Sequence, residues 1–157
     1  MGRRGFTRDV LLHGLRAYGH WFDDFSEIAK SSFRIIAPDQ RGRGESDWAP
    51  DRDYATDAYV ADLEGVANTL IEGKFVLASH SMGGGNAVSY AASHPNRISA
   101  LLLLDYAPES NPVGLQRIKS EVPETPKDFG TWNEARSLLR HLPPIQRQTL
   151  VAQGLAH

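Results

Sequence analysis

The sequence contains no cysteine among its 157 residues. That absence excludes disulfide bonds, thiolate metal ligands and cysteine nucleophiles, so any chemistry must use serine, histidine or carboxylate side chains. Charge of one sign is also scarce, because the formal net charge is only −2 and the basic residues are spread along the chain. No basic stripe is available to follow a phosphate backbone, and we therefore expect no nucleic-acid partner.

Long hydrophobic runs are missing as well. The apolar run at residues 10–12 is too short for the core of a signal peptide, and no run reaches the length needed to cross a bilayer. The hydrophobic fraction of 41% and the charged fraction of 23% are ordinary for a globular protein. We therefore expect a soluble, cytoplasmic protein without a membrane partner.

Four short apolar runs alternate with helical patterns through the first two thirds of the chain. The runs lie at residues 10–12, 33–37, 75–78 and 98–104. None of them alternates with polar residues, which predicts strands buried on both faces, as in parallel sheets covered by helices. Apolar spacings of three and four predict helices within 21–29 and 60–71. The pattern therefore predicts the α/β class, with an open, mainly parallel sheet flanked by helices and ligand sites at the carboxyl ends of its strands.

The character of the sequence changes after Pro108. A proline-rich stretch leads to Thr131-Trp132-Asn133-Glu134, which has the pattern of a capping box opening a helix over 135–142. We therefore predict that residues 1–110 form an α/β core and that residues 111–157 begin a helical lid.

The stretch Ser79-His80-Ser81-Met82-Gly83 follows one apolar run and precedes a helical pattern. Small residues two positions before and after a serine allow the sharp strand-to-helix turn that presents a nucleophile. The stretch has this G-x-S-x-G form, with Ser79 in place of the first glycine. It predicts Ser81 as a nucleophile, and a hydroxyl in an ordinary polar turn is the alternative.

Together with this elbow, three further stretches resemble the α/β-hydrolase superfamily. They are Leu11-Leu12-His13-Gly14-Leu15, the loop from Asp39 to Asp47, and Asp105-Tyr106-Ala107-Pro108. The resemblance implies that the backbone N–H groups of Leu15 and Met82 form an oxyanion hole. It also implies that His13, Gly14 and His80 belong to the substrate-binding region. The loop from Asp39 to Asp47 is expected to brace itself by hydrogen bonds, and we assign it no catalytic role.

A serine hydrolase also needs a histidine base and a carboxylate that orients the base. In the superfamily that the sequence resembles, the base comes from a loop after the last strand, and none of the six histidines occupies that position. We therefore expect this chain to lack the catalytic histidine. Asp105 is the candidate acid, because some subfamilies take the acid from the end of this strand. A structural carboxylate at the turn before Pro108 is the alternative.

The resemblance implies a hydrolase that acts on carboxylic esters, lactones or related acyl bonds of a small molecule, without a cofactor or a metal ion. A serine nucleophile disfavours haloalkane dehalogenases and epoxide hydrolases, which use an aspartate, but it does not separate an esterase from a cofactor-independent perhydrolase. An inactive binding module or a fragment is the alternative. The superfamily's sheet has further strands on both sides, so the resemblance implies that the core over residues 1–110 is incomplete. We therefore also expect self-association through exposed sheet edges.

Overall fold

The computed structural model describes residues 7–109, 111–124, 130–131, 133–134 and 137. The chain divides into two compact units, Met1–Tyr106 and Ala107–His157. The first unit holds the whole sheet. The helix predicted over 135–142 lies almost entirely outside the described residues.

Four parallel strands form one sheet in the order β2, β1, β3, β4. Their bounds are β1 Thr7–Leu12, β2 Phe33–Ile36, β3 Phe75–His80 and β4 Ile98–Leu104. Each predicted apolar run is a strand, and the predicted α/β class with a parallel sheet is confirmed. Leu12 is in register with Ser79, so the backbone segments that follow β1 and β3 leave the sheet side by side.

Three helices connect these strands. They are α1 Asp23–Ala29, α2 Thr56–Leu70 and α3 Met82–Ser93, with 3₁₀ turns at Gly19–Phe22 and Pro95–Arg97. The helix predicted within 21–29 is therefore split between a 3₁₀ turn and a short α-helix. Three of its apolar residues, Trp21, Phe25 and Ile28, are exposed rather than buried.

The two faces of the sheet carry cores of different size. On one face, residues of α2 and α3 pack on β1 and β3 in a cluster formed by Val10, Leu12, Leu63, Ala67, Ile71, Phe75, Leu77, Ala87 and Tyr90. On the other face, Leu11, Phe22 and Ala78 form a smaller cluster. Burying apolar surface contributes about 25 cal/mol per Å², so the α2 and α3 side supplies most of the hydrophobic stabilisation.

The prediction that all four strands are buried on both faces holds for β1 and β3 but is wrong for β2 and β4. Leu101, Leu102, Leu103 and Leu104 of β4 are 37–50% exposed. In the described sheet β2 and β4 are the outer strands, so each has a neighbour on one side only. A free edge of this kind is a template for pairing with another strand, and self-association stays a prediction.

The second unit contains the helix α4, Pro112–Glu124. Asn111 precedes it, and the side-chain Oδ1 of Asn111 accepts a hydrogen bond from the Val113 N–H at 2.9 Å. This is the geometry of an N-cap followed by proline at the first helical position. Within the described residues, no helix combines the length and the apolar character needed to cross a bilayer.

Asp9 of β1 is a buried carboxylate in an apolar setting. It alternates with Val10, so its side chain shares the smaller core's face with Leu11. Asp9 is 8% exposed, and its Oδ1 has no hydrogen-bond partner within the described residues. Burial raises the pKa of this carboxyl because removal from water penalises the charged form.

We expect Asp9→Asn to raise the free energy of unfolding at pH 7 by about 1 kcal/mol, because the variant removes a desolvated charge. The raised folded-state pKa means that the wild type loses stability as the pH rises through that pKa, so the gain should vanish at acid pH, where the carboxyl is protonated in both states. Urea unfolding at pH 7 and about pH 2.5, well below the ordinary pKa of an aspartate, measures the difference, with the exposed Glu72→Gln as control. An equal gain at both pH values would contradict this account.

Candidate active site

Ser81 stands between the last residue of β3 and the first residue of α3. Its backbone angles, φ 50° and ψ −117°, are sparsely populated by residues that carry a Cβ atom. The Ser81 N–H donates to the Leu104 carbonyl at 3.0 Å, and the Ser81 carbonyl accepts from the Gly84 N–H at 2.8 Å. The strained bend is therefore tied to β4 on one side and to the first turn of α3 on the other.

The small residues of the elbow are required by close packing. A Cβ atom on Gly83 would lie 2.7 Å from the Leu12 carbonyl oxygen and 2.8 Å from that of His13. A Cβ atom on Gly84 would lie 2.5 Å from the ring of Tyr106. Without side chains at these positions, the first turn of α3 lies directly against the end of β1.

The turn that follows β1 contacts the same elbow. A Cβ atom on Gly14 would lie 3.0 Å from the Ser81 Cβ, so the Gly14 backbone is next to the serine. The Ala17 N–H donates to the Gly14 carbonyl at 3.3 Å, which closes a turn through Leu15. Met82 is the first residue of α3, where an N–H group has no partner inside the helix. The structure thus places the Gly14 backbone, which precedes Leu15, beside Ser81, which precedes Met82.

His13 lies at the centre of a buried polar network. Its side chain is fully buried, its Nε2 accepts from the Gln40 N–H at 2.9 Å, and the Gln40 side-chain amide donates to the His13 carbonyl at 2.6 Å. The Asn86 amide of α3 then donates to Gln40 Oε1 at 2.8 Å. Because Nε2 accepts a bond, the Nδ1 atom carries the proton and donates to the Gly14 carbonyl at 2.9 Å.

This network changes the role expected for His13. Both ring nitrogens are engaged with the protein and no ring surface is exposed, so the side chain does not face a substrate. Burial lowers the pKa of His13, in keeping with a neutral imidazole. His13 instead holds the turn at Gly14 to the loop after β2 and, through Gln40, to α3.

The loop from Asp39 to Asp47 is braced by its own side chains. The Asp39 carboxylate accepts hydrogen bonds from the N–H groups of Gly19 at 2.5 Å and Glu45 at 2.8 Å. The Arg41 guanidinium donates to both carboxylate oxygens of Asp62 at 2.6 and 2.7 Å. These contacts fix the loop against α2 and against the 3₁₀ turn that begins at Gly19.

His80 and Asp105 lie next to Ser81 and next to each other. His80 Nε2 is 3.7 Å from Asp105 Oδ2, and the Asp105 side chain is 85% exposed. Asp105 also has a positive φ of 50°, at the residue directly after β4. Burial lowers the pKa of His80, and the nearby Asp105 carboxylate offsets this in part. The His80 ring stacks on Trp21, with 4.5 Å between ring centroids.

The Ser81 hydroxyl has no histidine partner in the described part of the chain. Within the described residues Ser81 makes hydrogen bonds only through its backbone N–H and carbonyl groups. Among the other described histidines, His20 pairs with Asp23, whereas His94 approaches Glu64 at 3.5 Å. His141 and His157 lie outside the described residues. The structure therefore brings Ser81, Gly14, His80 and Asp105 together without adding a base to them.

A cleft of about 450 Å³ opens beside the loop after β2. It is lined by residues of that loop and of α2, including Asp39, Arg41, Tyr59 and Asp62. Ser81 does not line this cleft, so the cleft is distinct from the elbow. Among the described residues, no cluster of three histidine or carboxylate side chains is arranged to hold a metal ion.

Sequence reasoning missed Gln40, Asn86 and Trp21 as parts of this region. Gln40 and Asn86 are 46 positions apart in the chain, and no local pattern predicts that they share a hydrogen bond. The apolar spacing predicts only that Trp21 belongs to a helix within 21–29. The aromatic residue shortly after the His-Gly turn was the one available signal, because a short loop keeps it near the end of β1.

Comparison with known proteins gives a consistent picture. A family model described as the alpha/beta hydrolase fold matches residues 10–154. The 2-(acetamidomethylene)succinate hydrolase of Mesorhizobium japonicum is 30% identical over 113 residues, which covers 72% of this chain and 40% of that protein. The 2-hydroxymuconate semialdehyde hydrolase of Pseudomonas sp. strain CF600 is 37% identical over 108 residues, which covers 66% of this chain and 38% of that protein.

Solved structures agree with these sequence matches. The crystal structure of an alpha/beta hydrolase from Novosphingobium aromaticivorans superposes with a TM-score of 0.79 at 31% identity, covering 97% of this chain and 56% of that one. The chain therefore spans about two fifths of the length of the two curated relatives and little more than half of the solved structure.

Proposed function

The chain belongs to the alpha/beta hydrolase fold family, and we propose that it is a hydrolase of carboxylic esters, lactones or related acyl bonds in which Ser81 is the nucleophile. The observation that carries this proposal is the bend at Ser81, with a φ of 50° directly between β3 and α3. A strained serine at such a bend projects its hydroxyl at the carboxyl edge of the sheet. Both curated relatives described above carry hydrolase names.

In the proposed reaction, Ser81 Oγ attacks the acyl carbon and the carbonyl oxygen takes up negative charge. The backbone N–H groups of Leu15 and Met82 donate to this oxyanion, and each donor of that kind contributes about 3 kcal/mol to the transition state. The alcohol or other leaving group departs with a proton, and water then releases the acyl group from Ser81. No cofactor and no metal ion takes part in this scheme.

The proton of Ser81 needs a base. In the described part of the chain no histidine is hydrogen-bonded to Ser81 Oγ, and we propose that the histidine that accepts it is supplied from elsewhere and not by this chain. Asp105 is our candidate for the carboxylate that orients this histidine. Its side chain is 85% exposed and therefore accessible to a second imidazole in addition to His80.

The substrate would be a small acyl compound next to Gly14 and His80, and residues 111–157 are proposed as the beginning of a helical lid. His13 is left out of direct substrate contact because it is buried. The edge of β4 that has no partner strand in the described sheet supports the further proposal that the chain associates with itself. Esterase and perhydrolase activity use the same groups, and an assay with and without hydrogen peroxide and a carboxylic acid separates them.

An inactive binding module is the second candidate, and the lack of a hydrogen bond to Ser81 Oγ within the described residues favours it. Incubation with short p-nitrophenyl esters and with a fluorophosphonate tests both candidates, because either reagent acylates or phosphonylates an activated serine. A burst of p-nitrophenol and covalent labelling of the wild type support the hydrolase. Binding of the ester without either event would support the binding module.

A further inference from the structure

The contacts around His80 point to a role that the hydrolytic scheme does not use. Resting on the proposed function, we infer that His80 is a positioning residue: its ring, held by Trp21, fixes the turn that carries the Leu15 N–H at its working distance from Ser81. This inference differs from acid or base catalysis, because it concerns the shape and placement of the ring.

The His80 ring contacts the backbone that precedes the proposed oxyanion donor. A Cβ atom on Gly14 would lie 2.7 Å from His80 Nδ1 and 3.3 Å from His80 Cε1. The same Cβ atom would lie 3.0 Å from the Ser81 Cβ. Gly14 is therefore seated against both His80 and Ser81, and the ring edge sets how closely the turn approaches the elbow.

Trp21 holds the outer face of this ring. The two rings stack with an angle of 23° between their planes. Trp21 in turn packs edge to face on Phe22, with 5.1 Å between centroids, and Phe22 is buried in the smaller core. A continuous series of contacts therefore runs from the core through Trp21 and His80 to Gly14.

The contacts of the two ring nitrogens of His80 are consistent with a positioning role that depends on the size and placement of the ring. Its Nδ1 is buried and has no hydrogen-bond partner within the described residues. The Nε2 atom faces Asp105 at 3.7 Å, which exceeds hydrogen-bond distance. Burial lowers the pKa of His80, which favours the neutral ring. Nothing in this arrangement gives His80 a proton-transfer contact with Ser81.

Oxyanion stabilisation depends steeply on geometry. The donors act when they lie about 2.7–3.1 Å from the oxyanion, and a misplacement of about 1 Å can cost roughly a hundredfold in rate. Removing the ring would leave a cavity beside Gly14 into which the turn can relax. The rate of bond formation to Ser81 should then fall, whereas reversible binding of the reagent should stay almost unchanged.

The test measures labelling of Ser81 by a fluorophosphonate at several concentrations, which separates the maximal rate of bond formation from the reversible binding constant. The variants are His80→Ala, His80→Phe and Trp21→Ala. The matched control is His94→Ala, because His94 also stacks on an aromatic ring, at 4.4 Å from Tyr90, and also approaches a carboxylate, Glu64.

We expect His80→Ala to lower the maximal labelling rate about tenfold or more with less than a twofold change in the binding constant. His80→Phe keeps a flat ring on Trp21 and should recover most of the rate, whereas Trp21→Ala should give an intermediate loss. His94→Ala should label at the wild-type rate. Wild-type rates in both His80→Ala and Trp21→Ala would overturn the inference, and so would a loss confined to the binding constant.

Folding and function are separated by two further readouts. Circular dichroism and thermal unfolding identify a variant that fails to fold. If His80→Ala fails to fold, Trp21→Ala still tests the inference, because it truncates a side chain that is already 37% exposed. Absence of labelling in the wild type would reject the proposed function itself. Labelling of the wild type with no effect at His80 and Trp21 would reject only the positioning role.

Discussion

Replacement of Ser81 by alanine is expected to abolish covalent labelling by a fluorophosphonate and to lower p-nitrophenyl ester hydrolysis by about a thousandfold or more, because no other group replaces the attacking oxygen. The effect should be confined to chemistry. Ser81 Oγ makes no hydrogen bond within the described residues, so its removal should leave the thermal unfolding midpoint nearly unchanged. Intact-protein mass spectrometry checks the loss of labelling, ester kinetics check the loss of hydrolysis, and thermal unfolding checks the unchanged midpoint.

Ser79→Ala is the matched control for that variant. Ser79 is fully buried, and among the described residues its hydroxyl makes only a long hydrogen bond of 3.4 Å to the Leu102 carbonyl. It occupies the first small position of the elbow, where alanine also satisfies the packing. The control should therefore be labelled at the wild-type rate. Labelling that persists in Ser81→Ala would contradict the assignment of the nucleophile.

Gly83→Ala should be the most destabilising single methyl addition in the elbow. The new Cβ atom would meet the Leu12 carbonyl oxygen at 2.7 Å and the His13 carbonyl oxygen at 2.8 Å, and backbone atoms cannot move aside as a flexible side chain can. We expect a loss of about 3 kcal/mol in the free energy of unfolding. Displacement of α3 from β1 should also remove labelling of Ser81, because Met82 would move with the helix.

Gly85→Ala provides the comparison two residues further along α3. A Cβ atom there has its nearest neighbour, Tyr106 Cε2, at 4.0 Å, which is an ordinary contact. Alanine is favoured over glycine inside a helix by about 0.5–1 kcal/mol. This variant should therefore be slightly stabilised and fully labelled. Chemical denaturation of both variants measures the contrast, and equal stabilities would show that α3 does not pack closely on β1.

The strands could be predicted from the sequence because an apolar run without polar alternation is a local signal. Their exposure could not, because it depends on the order of strands in the sheet. Leu101 to Leu104 have the composition of a buried strand, yet β4 has a neighbour on one side only in the described sheet. The helix α4 was also missed. Its start signal, Asn111 followed by Pro112, lay in a stretch that was interpreted only as proline-rich.

The position of Ser81 could be predicted because the elbow is contiguous in sequence. The surroundings of that serine depend on contacts between distant segments. The buried hydrogen bonds from His13 to Gln40 and from Gln40 to Asn86 link three segments that no local pattern joins. For the same reason a histidine placed by motif in the substrate-binding region proves to be part of the protein interior. The stack of Trp21 on His80 likewise requires the fold.

The most direct test of the central claim is a crystal structure of the chain after reaction with a fluorophosphonate. The account predicts a phosphorus atom bonded to Ser81 Oγ, with one phosphonyl oxygen about 2.7–3.1 Å from both the Leu15 and the Met82 backbone nitrogen atoms. An adduct on another residue, or a phosphonyl oxygen that reaches neither nitrogen, would contradict it.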